Sequence, residues 1–348
     1  MRRDGGICLL LVVVSCLVPL ASCRFPGTVP ETVKIGLSAP FEGLYRDLGY
    51  EALYAVRLAV RRANEAGGVG GGFLVELVAV NDFNDPPEAV LQAREMAADP
   101  GILGVIGGLS PRTAAAAAPE YERLGLAFVA PFAEPGEVGR AAGAAAAGRL
   151  GARSAAILHQ EDAAAMAQVE GFSEAFAGEG GQVIGRACPG EFADFADLLA
   201  GLGSAPDLAF LASDTSRAAE WIAGLRGAGF AGTLLGGPEV GSALTVDLAG
   251  PAGDGVYFVS TYRAVPEDGG FREGYEALSG GVAPGGVAAW SYEATRGLLQ
   301  AMDEALRSGA ESMRAATGAA VAEWRPGGWP LDLYVIRGGA FLPAAESR

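Results

Sequence analysis

Residues 101–119 read GILGVIGGLSPRTAAAAAP. An apolar run from Ile102 to Ile106 ends on two glycines, and Ser110, Pro111 and Arg112 then lead into five alanines. A short apolar run bounded by glycine is the pattern of a buried strand. Ser110 suits a helix cap. Pro111 suits the first helical position, where a missing N–H costs nothing. Strand, glycine turn and helix is also the order in which proteins hold phosphates. The stretch can therefore be a nucleotide cradle, the wall of a ligand pocket or a plain turn.

The same unit recurs outward from there. VKIGLSAP (33–40), FLVELVAV (73–80) and LAFVAPF (126–132) read as strands. YEALYAVRLAVRRANEAGG (50–68) places Ala52, Val56, Ala59, Val60 and Ala63 at helical spacing and stops on glycine. DPPEAVLQAREMAAD (85–99) opens a helix with a cap and prolines. A second series follows, with SAAILH, GQVIGRA, DLAFLAS and GTLLGGP as strands and helices between them. Strict βαβα alternation predicts parallel sheets with helices on both faces, here in two successive lobes. In such sheets ligands bind outside the carboxyl ends of the strands.

The N-terminus, MRRDGGICLLLVVVSCLVPLASC, runs from arginines through an apolar stretch to small residues and a cysteine. That is the order of a secretory signal, shorter than the roughly 20 residues of a spanning helix. Residues 1–22 are expected to be removed. Leu20-Ala21-Ser22-Cys23 resembles the bacterial lipoprotein box, in which the cysteine after the cut is lipidated. An ordinary cleavage site followed by a chance cysteine is the alternative. Residues 23–32, with two prolines and a glycine, read as a tether. Loss of Arg2, Arg3 and Asp4 with the signal takes the formal charge from −16 to −17. So acidic a chain repels nucleic acid. Lys34 is the only lysine, and with the alanine and glycine excess this reads as coding bias.

Catalytic and metal chemistry have little to work with. His159 is the only histidine, closing a strand, where cleft lining and a plain loop are both open readings. Cys188 is the only cysteine beyond Cys23, so neither a disulfide nor a thiolate metal site is expected. GGVGGG (67–72) follows a helix and precedes a strand, the reverse of a dinucleotide fingerprint, and reads as a cap and turn. Asp194 and Asp197 flank a buried stripe of Phe192, Phe195, Leu198 and Leu199 and read as a solvated face. No cofactor, metal or catalytic residue is expected, and the chain is not read as an enzyme.

VKIGLSAPFEGLYRDLG, NEAGGVGGG, NDFNDPPEAV, GVIGGLS and LGLAFVAP, then ILH, LLGGPEVGSAL and WSYEATRGLLQAMDEAL, follow one another from Val33 to Leu306. In that order they resemble the leucine/isoleucine/valine-binding family of ABC-transporter solute receptors. The resemblance implies a type I periplasmic-binding fold: two Rossmann-like parallel-sheet lobes joined by a hinge. Lobe 1 would comprise 33–138 and 264–318, and lobe 2 139–263 and 319–345. Between PFAEP and AILH the chain is shorter than the family by about one strand and one turn, so the first crossover is expected to be shortened.

The resemblance also implies a site. Tyr45 and Leu48 fall in the loop after the first strand, where the family touches its ligand. Leu109 opens a gapless match to Pro131, within which Ser110, Pro111, Arg112 and Thr113 stand where the family grips a carboxylate; Pro111 lacks one of the amides used there. Phe132, Ala133 and Glu134 replace an Ala-Ala-Thr-like run. The family's ligand-packing tyrosines fall near Ala164 and near Asp214 or Thr215. Glu239 matches the acid that pairs the ligand's ammonium group. The implied function is a monomeric, lipid-anchored protein delivering a small polar solute (an amino acid, amide or related amine) to an ABC permease. The alternative is a sensing or adaptor lipoprotein with a degenerate pocket.

Overall fold

The computed structural model describes residues 31–130, 134–202, 204–260, 270–323 and 331–344. The signal sequence and Cys23 lie outside them. A first sheet has the order β2-β1-β3-β4, all parallel, from β1 (Thr32–Ala39), β2 (Leu74–Asn81), β3 (Ile102–Gly107) and β4 (Ala127–Val129). A second has the order β11-β10-β9-β8-β7-β5-β6. In it β5 (Ser154–His159), β6 (Gln182–Ala187), β7 (Leu208–Ala212), β8 (Thr233–Gly236) and β9 (Tyr257–Ser260) are parallel. β10 (Asp332–Arg337) and β11 (Ala340–Pro343) close one edge antiparallel.

Helices cover both faces of each sheet, so the central strands are apolar throughout rather than alternating. On the first sheet, Val56 and Ala59 of α1 (Arg46–Glu65) pack with Ile35 and Leu37 on one face. Ala93 of α2 (Pro86–Ala98) and Tyr121 of α3 (Pro111–Arg123) pack with Val105 on the other. On the second sheet β7 shows the period of two directly. Leu208, Phe210 and Ala212 join α4 (Pro135–Gly148) and α5 (Ala163–Gly178). Ala209 and Leu211 face α7 (Thr215–Gly227), beyond α6 (Phe195–Gly201). Leu198 of α6 is buried, and Asp194 caps that helix by accepting from the Asp197 N–H at 2.8 Å.

The chain passes between the sheets three times. It leaves β4 for α4, returns from β9 to α9 (Phe271–Ser279), which packs on α1, and leaves α11 (Met313–Glu323) for β10. Residues 131–133, 261–269 and 324–330, within those passages, lie outside the described residues. No strand is described between β4 and α4. The expected lobe boundaries at 138/139 and 318/319 fall inside α4 and α11, and each helix packs as a whole, α4 on the second sheet and α11 on the first. Between α4 and α11 stand α8 (Ala243–Ala249) and α10 (Gly286–Arg307) besides the elements already named.

The alanine and glycine run of α4 has a packing role. A Cβ on Gly139 would lie 2.1 Å from the Gln168 carbonyl oxygen, and one on Gly171 2.2 Å from that of Gly136. α4 and α5 therefore meet backbone to backbone, which only glycine at the contact allows.

Candidate functional site

Parallel strands bring their carboxyl-end loops to one edge of each sheet, and the two edges face each other across a cleft. Its cavity offers about 60 Å³ to the centres of water-sized spheres, enough for several waters or one small molecule. From the first lobe come Tyr45, Leu48, Leu109, Ser110 and Pro111; from the second come Asp214, Thr215 and Glu239. The wall also includes Asn84, Pro238, Gly241, Ser242 and Ser260, together with Gly286, Val287 and Trp290 at the start of α10. Sequence reasoning missed these. Asn84 and Ser242 follow strands β2 and β8, so the rule that ligands sit at strand carboxyl ends would have found them. Trp290 begins the WSYEATRG run but follows no strand.

Ser110 caps α3 as its sequence promised. Its Oγ accepts from the Thr113 N–H at 3.3 Å, and Thr113 Oγ1 accepts in return from the Ser110 N–H at 3.4 Å, closing a capping box. With Pro111 lacking an N–H and Thr113's used by the cap, only the Arg112 N–H is left open in the first turn.

Arg112 and Thr113 do not line the cavity. Thr113 is held in the cap. The Arg112 guanidinium reaches across the cleft to Asp162 at 3.2 Å and Asp214 at 3.5 Å. Glu134 is exposed at the start of α4 and lies off the wall, while Phe132 and Ala133 are outside the described residues. His159 meets the Gln160 carbonyl at 3.1 Å and is also off the wall.

Asp214 is the junction between the lobes. As the cap of α7 it accepts from the Arg217 N–H at 3.0 Å. The Gln160 amide donates to it at 3.0 Å and the Tyr45 hydroxyl, from the opposite lobe, at 3.3 Å. Burial alone would raise its pKa, but the Arg217 N–H, Ser216, Gln160 and Arg112 together hold it below the usual carboxylate range. Arg112→Ala is expected to release this cross-lobe clasp and enlarge the ligand-free protein in small-angle X-ray scattering. An unchanged radius of gyration would mean the clasp does not hold the lobes together.

Glu239 is 8% exposed. Thr215 and Thr245 hydroxyls both donate to its backbone carbonyl at 3.1 Å and fix the loop. Its Oε1 accepts from the Gln168 amide at 3.1 Å, while its Oε2 and the Gln168 Oε1 are buried with no partner. Burial raises its pKa to about 7, with Asp214 and Asp162 adding to the effect against the Gln168 hydrogen bond. Among the described residues no lysine or arginine lines the cavity, and no cluster of acids, histidines and cysteines is arranged to hold a metal.

Comparison with known families matches residues 32–324 to the family described as periplasmic binding protein. The chain belongs to that family. A crystal structure of a putative branched-chain amino acid ABC transporter from Rhodospirillum rubrum is 26% identical, with 90% of this chain and 100% of that one covered and a TM-score of 0.62. A leucine-binding protein from Thermotoga maritima is 22% identical, covering 90% and 98%, with a TM-score of 0.76. A solute-binding protein from R. palustris, solved with benzoate, is 22% identical, covering 91% and 98%, with a TM-score of 0.70. Comparison with curated proteins gave no match. The fold is thus the two-lobed type I periplasmic-binding fold that the leucine/isoleucine/valine-binding resemblance implied. It is a family of solute-binding proteins rather than enzymes.

Proposed function

We propose that this is an extracytoplasmic solute-binding protein, anchored through a lipid on Cys23, that carries a small amine- or amide-bearing solute to an ABC permease as a monomer. The observation that carries the reading is the interlobe cavity at the strand carboxyl ends, with a buried glutamate, Glu239, on its wall. Such a group is matched by a ligand N–H, because a buried carboxylate needs a charged or strongly donating partner. Tyr45, Leu48, Leu109 and Pro111 supply apolar surface opposite, and Ser110, Asp214 and Thr215 the remaining polar rim.

The carboxylate grip is weaker than the resemblance implies. Pro111 and the capping box leave one open N–H at the α3 start, and Arg112 is occupied by two acids. Solutes with a nitrogen donor and little dependence on a carboxylate therefore fit best. A thermal-shift screen should show stabilisation by some among amino acids, amides, polyamines and small amines. No response to these, to small carboxylates, or to nucleosides and sugars would argue against transport binding.

A further inference from the structure

Glu239 and Gln168 present a hydrogen-bonding imbalance inside the second lobe. The Gln168 side chain, 1% exposed on α5, donates through Nε2 to Glu239 Oε1 at 3.1 Å. Two acceptor atoms are then left over, Glu239 Oε2 and Gln168 Oε1, both buried and both without a donor. They converge on one spot: a Cβ placed on Gly237 would lie 2.5 Å from the first and 3.2 Å from the second. Leaving two buried acceptors unmatched is costly, and an ionised carboxyl brings no proton to match them.

We propose that Glu239 is a carboxylic acid in the ligand-free protein, its Oε2–H donating to Gln168 Oε1, so that Gln168 holds the proton on the cavity wall. The pair is then a cyclic acid–amide pair with every buried polar atom satisfied. The raised pKa of Glu239 agrees with this. The charges around it push the same way. Asp162 and Asp214, capping α5 and α7, oppose ionisation, and Arg112 lies between those two acids. Val138 of α4 and Thr245 of α8, which pack against the same loop, do not titrate.

The consequence for recognition rests on the solute-binding reading above. An ammonium ligand drawing on Glu239 requires the carboxylate, so its binding expels the proton to solvent. Affinity for such a ligand rises about tenfold per pH unit below the Glu239 midpoint. An amide ligand binds the neutral pair with no such dependence.

The protonation itself is tested without any ligand. Infrared spectra of the full protein are expected to show, at pH 6, a protonated-carboxyl C=O band that is lost in Glu239→Gln and titrates away near pH 7. Subtracting Glu239→Gln removes the contribution of Glu51 and Asp82, whose pKa values burial also raises. Gln168→Met is expected to shift that band and move its midpoint while the protein stays folded by circular dichroism, as a positioning role requires. No band lost in Glu239→Gln at pH 6 would overturn the proposal and mean that a water donates to both acceptors beside an ionised Glu239. That outcome would leave the solute-binding reading standing, which fails only if no solute binds.

Discussion

Glu239→Gln is expected to be more stable than the wild type at pH 8 by about 3 kcal/mol, and equal to it near pH 4.5. The carboxyl pKa stands at about 7 in the folded chain against an ordinary value of 4.5. Below 4.5 both states hold the proton and the group contributes nothing to the pH dependence. Between 4.5 and about 7 the folded state keeps a proton that the unfolded state releases, so stability falls as pH rises. Above 7 the loss is complete, having grown by roughly 1.4 kcal/mol for each pH unit between the two values. Glutamine has the same shape and no charge to bury, so it removes this loss. Denaturant unfolding of both proteins from pH 4.5 to 8 measures the difference curve. Parallel curves would show that Glu239 is not destabilised by its burial.

A second large effect is expected where α4 and α5 touch. Gly139→Ala places a methyl 2.1 Å from the Gln168 carbonyl oxygen, and no flexible side chain is there to yield. Two helices must part, at a cost of about 3 kcal/mol, the upper end for overpacking. In a chain of this size that lowers Tm by roughly 4–5 °C. Gly148→Ala, at the end of the same helix with nothing within 4 Å, is the control and should be neutral or slightly stabilising. The α5 face displaced by Gly139→Ala carries Gln168, so the substitution also disturbs the partner of Glu239. Equal melting temperatures for Gly139→Ala and wild type would contradict the backbone contact.

The alternation of strands and helices was legible because both faces of each sheet are covered, so runs such as LAFLA in β7 are apolar throughout. Caps were legible too: Ser110, with Pro111 behind it, states where α3 begins. The alanine-glycine run of α4 was not, since composition alone does not reveal that Gly139 meets another backbone. Nor was Gln168, one amide within AAAMAQVEGF, because its role appears only where it meets Glu239, 71 positions on. The reach of Arg112 to Asp214, 102 positions away, depends in the same way on how two lobes face each other. Local pattern carries the fold; the site is made of contacts between distant segments.

GGLSPRTAAAAAP (107–119) is the strand-to-helix turn that puts Leu109, Ser110 and Pro111 on the cavity wall. Its proline and capping box start α3 well and leave little for an anion to bind. On the proposed solute-binding reading, recognition then leans on the opposite lobe, on Glu239.

Calorimetric titration of wild type and Glu239→Gln at pH 8, using the amine that stabilises the protein most, tests that claim directly. The expected result is one site per chain in the wild type and affinity lower by about tenfold to a hundredfold in Glu239→Gln, the usual worth of a hydrogen bond to a charged group. Equal affinities in the two proteins would contradict it.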